Sequence, residues 1–390
     1  MLPIAVAGAL VIRLLRPVLL LRLQPLMSAR IGHYAGNVEL YLCEREAGIN
    51  RPKGRHADVF FDGSEVCNEQ LAIMWRRVLR IWPRWLVQPV WRVNRVLPGA
   101  TVHEIGTNTR LDRDVHNLME GTRPHLTFTS AERRRGEDGM RRLGIPAGAR
   151  FVCLIARDGA YLKAAAPGFE FSYHDYRDVN IGNYVLAAEA LAEREYWVLR
   201  MGAVVQSPMP SKHSRIIDYA TNGMRSDFMD VWLGAHCHFC ISSLLGYDNV
   251  PVIFRRPVVY TNIAPLGHFP TYKHDAIGIA KWLEKDGRRL SMKEVVASGT
   301  GFVFHGSEFS SRGITLVENT AEEIRDSVLE MEQRLNGSWT PQADDEALQQ
   351  SFWKQYPLNY RDPATNAPWH GKARARFGAQ FLRDNRAWVA

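Results

Sequence analysis

Two apolar runs in this chain each end on an arginine. Phe-Val-Cys-Leu-Ile-Ala from Phe151 leads into Arg157 and Asp158, and Trp-Val-Leu from Trp197 leads into Arg200. Short apolar runs bounded by polar residues read as buried strands. Between them lie an aromatic, polar loop holding Asp175, Arg177 and Asp178, and a helical pattern from Val185 to Arg194. Strand, loop, helix and strand make a βαβ unit, and a parallel sheet built this way meets its ligands at the carboxyl ends of its strands. Arginine has a fixed charge and a planar fork that matches phosphate oxygens, so Arg157, Arg177 and Arg200 point to an anionic ligand.

The elements that would position these groups continue downstream. Ser214–Tyr219 reads as a short strand ending near Asp218, and Ser226-Asp227 can cap the helix that follows. Cys237–Ser243 reads as a buried strand that delivers Ser242 and Ser243 to a turn carrying Gly246, where backbone amides could cradle a phosphate. Two further strands are predicted, one ending at Asn262 and one, from Asp275, ending near Lys281. Ser291 with Glu294 forms a capping box, and an amphipathic helix from Ala321 stops at Asn336-Gly337.

At Tyr176-Arg177-Asp178, Tyr184, Arg200-Met-Gly202, Ile217-Asp218-Tyr219, Ser226-Asp227, Asp230, Ser242, Gly246 and Asn262, the chain resembles a group of bacterial glycosyltransferases for surface carbohydrates. These are similar to two-domain GT-B enzymes, distantly to heptosyltransferases and O-fucosyltransferases. The likeness runs from about Arg30 to Lys281. It implies an α/β fold of two Rossmann-like domains whose parallel sheets face an interdomain cleft. It implies a sugar moved from a nucleotide-sugar donor to a surface-glycan or lipid-linked acceptor. Arg157, Arg177 and Arg200 would then neutralise the leaving diphosphate without a metal. Ser242, Ser243 and Gly246 would surround the nucleotide, Asp218 would hold ribose hydroxyls, and Asn262 and Lys281 match family positions. The family's N-terminal loop carries an acidic base, and His33 stands in its place here. Histidine can serve as a general base near neutral pH, and Glu39 is the other candidate facing the acceptor. A structural role for His33, as a helix cap or a phosphate ligand, weighs equally.

A length of 390 residues favours two domains over one. The expected segments are 1–24, apolar and basic; 25–147, the acceptor domain; 148–339, the donor domain; and 340–390, a tail able to cross back to the first domain. A net charge of +8 suggests an anionic partner. Five irregularly spaced cysteines do not form a disulfide framework and favour a reducing cytoplasm. The stretch from Leu2 to Leu23 is apolar but interrupted by Arg13, Arg16 and Arg22, so it neither spans a bilayer nor reads as a signal peptide. It could lie on the inner membrane as a peripheral helix or simply cover the first domain's core; Arg13 and Arg22 on opposite helix faces count against the first.

Several motifs carry less. Asp112-Arg-Asp114 matches a metal-binding pair but lacks a preceding strand, and His236-Cys-His-Phe-Cys240 in a strand would point to opposite faces. No metal and no cofactor are expected. The tryptophan and arginine residues between Trp75 and Arg92 read mainly as a helix with buried rings and solvated charges. Nucleic-acid binding has no motif behind it beyond basic charge. The alternative to an enzyme is a non-catalytic sugar-nucleotide or anionic-lipid binding protein that recruits a glycan-biosynthesis complex.

Overall fold

A computed structural model describes residues 2–106, 113–165, 168 and 172–390. The chain divides into two compact units, one of Met1–Asp114 with Leu118–Glu132, the other of Val115–Asn117 with Arg133–Ala390.

In the first unit, strands β1 (Leu20–Pro25) and β2 (His56–Phe61) pair in parallel. Single parallel bridges extend this small sheet at both edges, Glu104 beside Leu23 and Ile81 beside Phe60. Alternation places Leu23, Val59 and Phe61 in a core with Ile12 and Val87. The opposite face holds Arg22, register partner of Asp58. Its guanidinium forks onto both carboxylate oxygens at 2.7 Å each, and Tyr41 donates a third bond to Asp58 at 2.7 Å. A buried charge pair is tolerable only when each oxygen is satisfied this way.

The N-terminal stretch is therefore not one helix. A helix spans Leu2–Leu14, and the chain then turns into β1, where Arg22 is interior. Arg13 also leaves the helix surface. Its guanidinium donates to Asn94 Oδ1 at 2.8 Å and to the Pro98 carbonyl at 2.7 Å, beyond the end of the helix Arg84–Arg95. Carbonyls at a helix C-terminus lack intrahelical donors, and a cation suits them. The two arginines that spoil the helical phase in the sequence are both turned inward.

The second unit is built on a seven-stranded sheet. Its strands are β3 (Phe151–Ile155), β4 (Trp197–Arg200), β5 (Ile216–Ile217), β6 (Cys240–Ser242), β7 (Val258–Ile263) and β8 (Ala276–Ala280), and, from the tail, β12 (Arg376–Phe377). The order is β12-β8-β7-β6-β3-β4-β5, with every pairing parallel. The fold is α/β. A separate antiparallel sheet joins β9 (Trp282–Lys285), β10 (Arg288–Arg289) and β11 (Ile314–Val317). The tail stays with this unit and extends the sheet edge beside β8.

Local sequence rules account for many boundaries. Asn68, Ser226, Ser291 and Thr320 each accept a backbone amide at the start of their helices. Gly337 ends the helix Ala321–Asn336 with a positive φ of 71°. The helix Ser130–Arg142 has no apolar stripe, yet buries Gly136 and Gly139. A Cβ on Gly136 would lie 2.1 Å from the Trp232 ring, so the glycines admit the helix Asp227–His236 at close range. That helix takes in His236, so the strand expected from Cys237 begins only at Cys240.

Candidate functional site

The strand order reverses at β3. The chain leaves β3 for β4 and β5 on one side, then returns to β6, β7 and β8 on the other. Neighbouring strands whose connections diverge leave a crevice at their carboxyl ends, where open α/β sheets receive ligands. Arg157 follows β3, Arg200 ends β4, Asp218 follows β5, Ser242 ends β6, Asn262 lies in β7 and Lys281 follows β8. The sequence-expected residues of this unit thus gather along one edge.

Their surroundings separate them. Arg200 is almost wholly enclosed, its Nη1 lying 3.2 Å from Asp218 Oδ1 and its Nη2 3.9 Å from Asp158 Oδ2. Asp218 Oδ2 accepts the Met209 amide at 2.8 Å. Arg200 and Asp218 thus engage each other at the strand ends, with Asp158 the next carboxylate to Arg200. Asn262 donates to the Tyr184 hydroxyl at 3.1 Å, its backbone amide donates to Asn319 Oδ1 at 2.6 Å, and its Oδ1 accepts the Asn319 amide at 2.8 Å. Lys281 donates to the carbonyls of Tyr176 and Asp178 at 3.0 and 2.7 Å, which fastens the loop before Val179. Ser242 donates to Asp248 at 2.7 Å and accepts the Leu244 amide at 3.0 Å. These three build the edge rather than face outward.

At the switch itself the groups differ. Ser243 Oγ accepts the Arg157 amide at 2.8 Å, tying the ends of β3 and β6 together. Arg157 Nε sits 3.1 Å from Asp178 Oδ1, and its Nη2 reaches the His174 carbonyl at 3.4 Å. Burial pushes the Asp178 carboxyl up, with Arg157 opposing. Arg177 Nη2 donates to the Leu244 carbonyl in the turn after β6, and Gly246 is exposed at that turn. Arg157, Arg177, Ser243 and Gly246 therefore surround the switch point. The aromatic loop Ser172–Arg177 borders it.

The first unit has a cleft of about 270 Å³ at the carboxyl end of β1, lined by Gln24, His33, Asn37, Tyr41, Trp91 and Arg95 among others. His33 lies in the first turn of the helix Ile31–Glu46, where a loop was expected. Asn37 and Tyr41 follow at helical spacing and face the same way. Among the described residues, His33 Nδ1 is buried without a hydrogen-bond partner. Arg95 stacks over Trp91 at 4.8 Å and pairs with Glu104 at 3.1 Å. An aromatic wall with a few polar groups suits a sugar-like or amphipathic ligand.

Glu39 is elsewhere. It is fully buried on another face of the same helix, 3.1 Å from His125 Nδ1. Burial opposes the charge on His125, but Cys43 and Glu39 outweigh it and push its pKa up to about 10. The geometry keeps Glu39 out of the cleft, where His33 and the Arg95-paired Glu104 remain as proton-accepting groups. Asp112 lies outside the described residues. Asp114 accepts the amides of Leu118 and Met119, both at 2.8 Å, which caps a turn. Sequence reasoning missed Asn37, Arg95 and Glu104, which are ordinary surface-type residues until β1 and two helices bring them together.

Among the described residues, no helix is long and apolar enough to cross a membrane. The tryptophans of the 75–92 stretch divide: Trp75 is buried, whereas Trp82 and Trp85 are exposed.

No family model and no curated protein matches the sequence. Solved structures do. The E. coli ADP-heptose lps heptosyltransferase II aligns at TM-score 0.44 and 14% identity, over 81% of this chain and 98% of that one. The glycosyl transferase family 9 structure from Veillonella parvula aligns at 0.42 and 11%, over 81% and 95%. E. coli heptosyltransferase WaaC with ADP-2-deoxy-2-fluoro heptose aligns at 0.32 and 11%, over 75% and 99%. These are distant likenesses.

Proposed function

We propose that this protein is a glycosyltransferase that takes a sugar from a nucleotide-sugar donor and passes it to a glycan or lipid-linked acceptor. The observation that carries the reading is the switch point of the seven-stranded sheet, where Arg157, Arg177, Ser243 and the Gly246 turn converge. Two guanidinium groups beside a turn offer fixed positive charge and amides to a diphosphate. As the sugar–phosphate bond breaks, negative charge grows on the departing diphosphate, and preorganised cations stabilise that change. His33 would take the proton from the acceptor hydroxyl in the cleft of the first unit. The resemblance at Tyr176-Arg177-Asp178 and Ser242 to Gly246 supports the same reaction class.

The test is a thermal-shift series with nucleotide sugars. A donor that binds only the folded state stabilises it by mass action, about 2.7 kcal/mol at a hundredfold excess over Kd. Arg157→Gln should lose most of this shift. A set of common nucleotide sugars that leaves the melting temperature unmoved would overturn the reading.

A peripheral membrane contact has its own support. Leu2, Ile4 and Leu14 are 70%, 73% and 79% exposed, and Trp85 in the neighbouring helix is 70% exposed. The two helices pack closely, Gly8 against Val90. With Arg13 turned onto the neighbouring helix, the exposed face of Leu2–Leu14 is apolar, with tryptophan beside it and the exposed Arg16 just past its end, the composition of an interfacial surface. Flotation with anionic vesicles should recover the wild type and not a Leu10→Glu, Leu14→Glu variant. Equal recovery of the two would count against membrane attachment.

A further inference from the structure

We propose that Glu39, Cys43 and His125 bind one divalent metal ion of the zinc or cobalt kind inside the first unit. Glu39 and Cys43 are one helical turn apart, so their side chains share a face of the helix Ile31–Glu46. His125 is brought against that face from far along the chain, and one donor atom from each residue lies within 4.8 Å of the others. Thiolate, imidazole and carboxylate are the donor types that zinc takes, and three protein ligands leave one tetrahedral place for water.

A second observation points the same way. Glu46, one further turn along the helix, lies 3.1 Å from His125 Nε2. A metal-bound histidine ordinarily gives its other ring N–H to a carboxylate, which fixes the tautomer and turns the free lone pair toward the ion. Here Nε2 faces Glu46, and Nδ1, 3.1 Å from Glu39 Oε1, faces the cluster. The simpler arrangement is an imidazolium between two carboxylates. The Cys43 sulfur beside the same ring is a donor that an imidazolium–carboxylate pair does not need, and with Glu39 and His125 it completes a set of three ligand atoms within 4.8 Å.

The charges also close. Cys43 gives up its thiol proton and His125 its Nδ1 proton to solvent on binding, and a dication then neutralises one thiolate and one buried carboxylate. Thr122 Oγ1 lies 3.2 Å from Cys43 Sγ, in the same segment as His125. The ion would fasten that segment to the helix. It lies on a different face from the His33 cleft, so this inference stands apart from the transferase reading and from the metal-free handling of the donor expected there.

Cobalt(II) titration of the chelator-treated full-length protein is the test. The expected result is one equivalent bound, with tetrahedral ligand-field bands and a thiolate-to-cobalt charge-transfer band, all displaced by zinc. Glu46→Gln should weaken uptake ~10–100-fold, the usual effect of removing such an outer carboxylate. Cys43→Ser should lose the charge-transfer band, and zinc should raise the melting temperature of the wild type but not of His125→Ala. Wild-type protein showing no charge-transfer band overturns the proposal whether or not the variants fold. So does a folded Cys43→Ser that retains the band.

Discussion

His33 and Glu39 lie on one helix, six residues apart, and that offset decides their fates: His33 opens on a cleft and Glu39 is sealed against His125. If His33 takes the acceptor proton, His33→Ala should slow transfer by ~10²–10⁴, the usual worth of a positioned base, and leave donor binding unchanged. Steady-state kinetics beside donor titration checks this; unaltered turnover would move the base elsewhere. Charge alone was legible at Arg157 and Arg200, but not the carboxylates each meets, because Asp158 and Asp218 reach Arg200 from separate loops. Asp230 shows the opposite sign of burial. Burial pushes its carboxyl from an ordinary 3.8 up to about 6, with Arg225 at 2.7 Å opposing. The folded state then holds the proton more tightly than the unfolded chain. Stability is fully present below about 3.8 and is lost as pH rises through about 6. Asp230→Asn should remove that slope. Urea unfolding at pH 4 and 7.5 should show the variant gaining about 1–3 kcal/mol relative to wild type between the two.

Periodicity made the second unit's strands legible because its buried parallel strands read as continuous apolar runs. The N-terminal stretch was harder, since apolar residues with scattered arginines fit a helix until β1 pairs Arg22 with Asp58. Removing residues 1–23 would take most of β1 and leave Asp58 buried without its cation, so that deletion tests folding and not membrane contact. The docking face of the helix Ser130–Arg142 was not legible in the sequence, because glycine adds no apolar signal. Gly136→Ala separates the two effects. On an exposed helix alanine would stabilise by about 0.5–1 kcal/mol. Against the Trp232 ring, where the new Cβ would stand at 2.1 Å, it should instead cost roughly 1–3 kcal/mol. A denaturation midpoint above that of wild type would mean the two helices pack less closely than described.

Across the whole molecule, the α/β class was readable from the strand–helix alternation, while the tail's addition of β12 beside β8 was not, since Arg376–Phe377 carries no pattern of its own. The small sheet of the first unit was also obscured, because two of its four partners are single bridges rather than strands. The two units nevertheless divide the proposed chemistry: the switch point belongs to the second and the His33 cleft to the first. That division predicts where a ligand leaves its mark. Amide exchange slows where binding suppresses local opening, and loops at a sheet edge open more readily than the core they border. A bound nucleotide sugar should therefore protect the segments around Ser172–Arg177 and Gly246–Asp248, both at the carboxyl edge of the seven-stranded sheet. The helix Ile31–Glu46 should exchange as in the free protein until an acceptor is added. Hydrogen exchange read by mass spectrometry distinguishes the outcomes. Donor-induced protection confined to the first turn of that helix, with the edge loops unchanged, would place the donor on the first unit and reverse the assignment of roles.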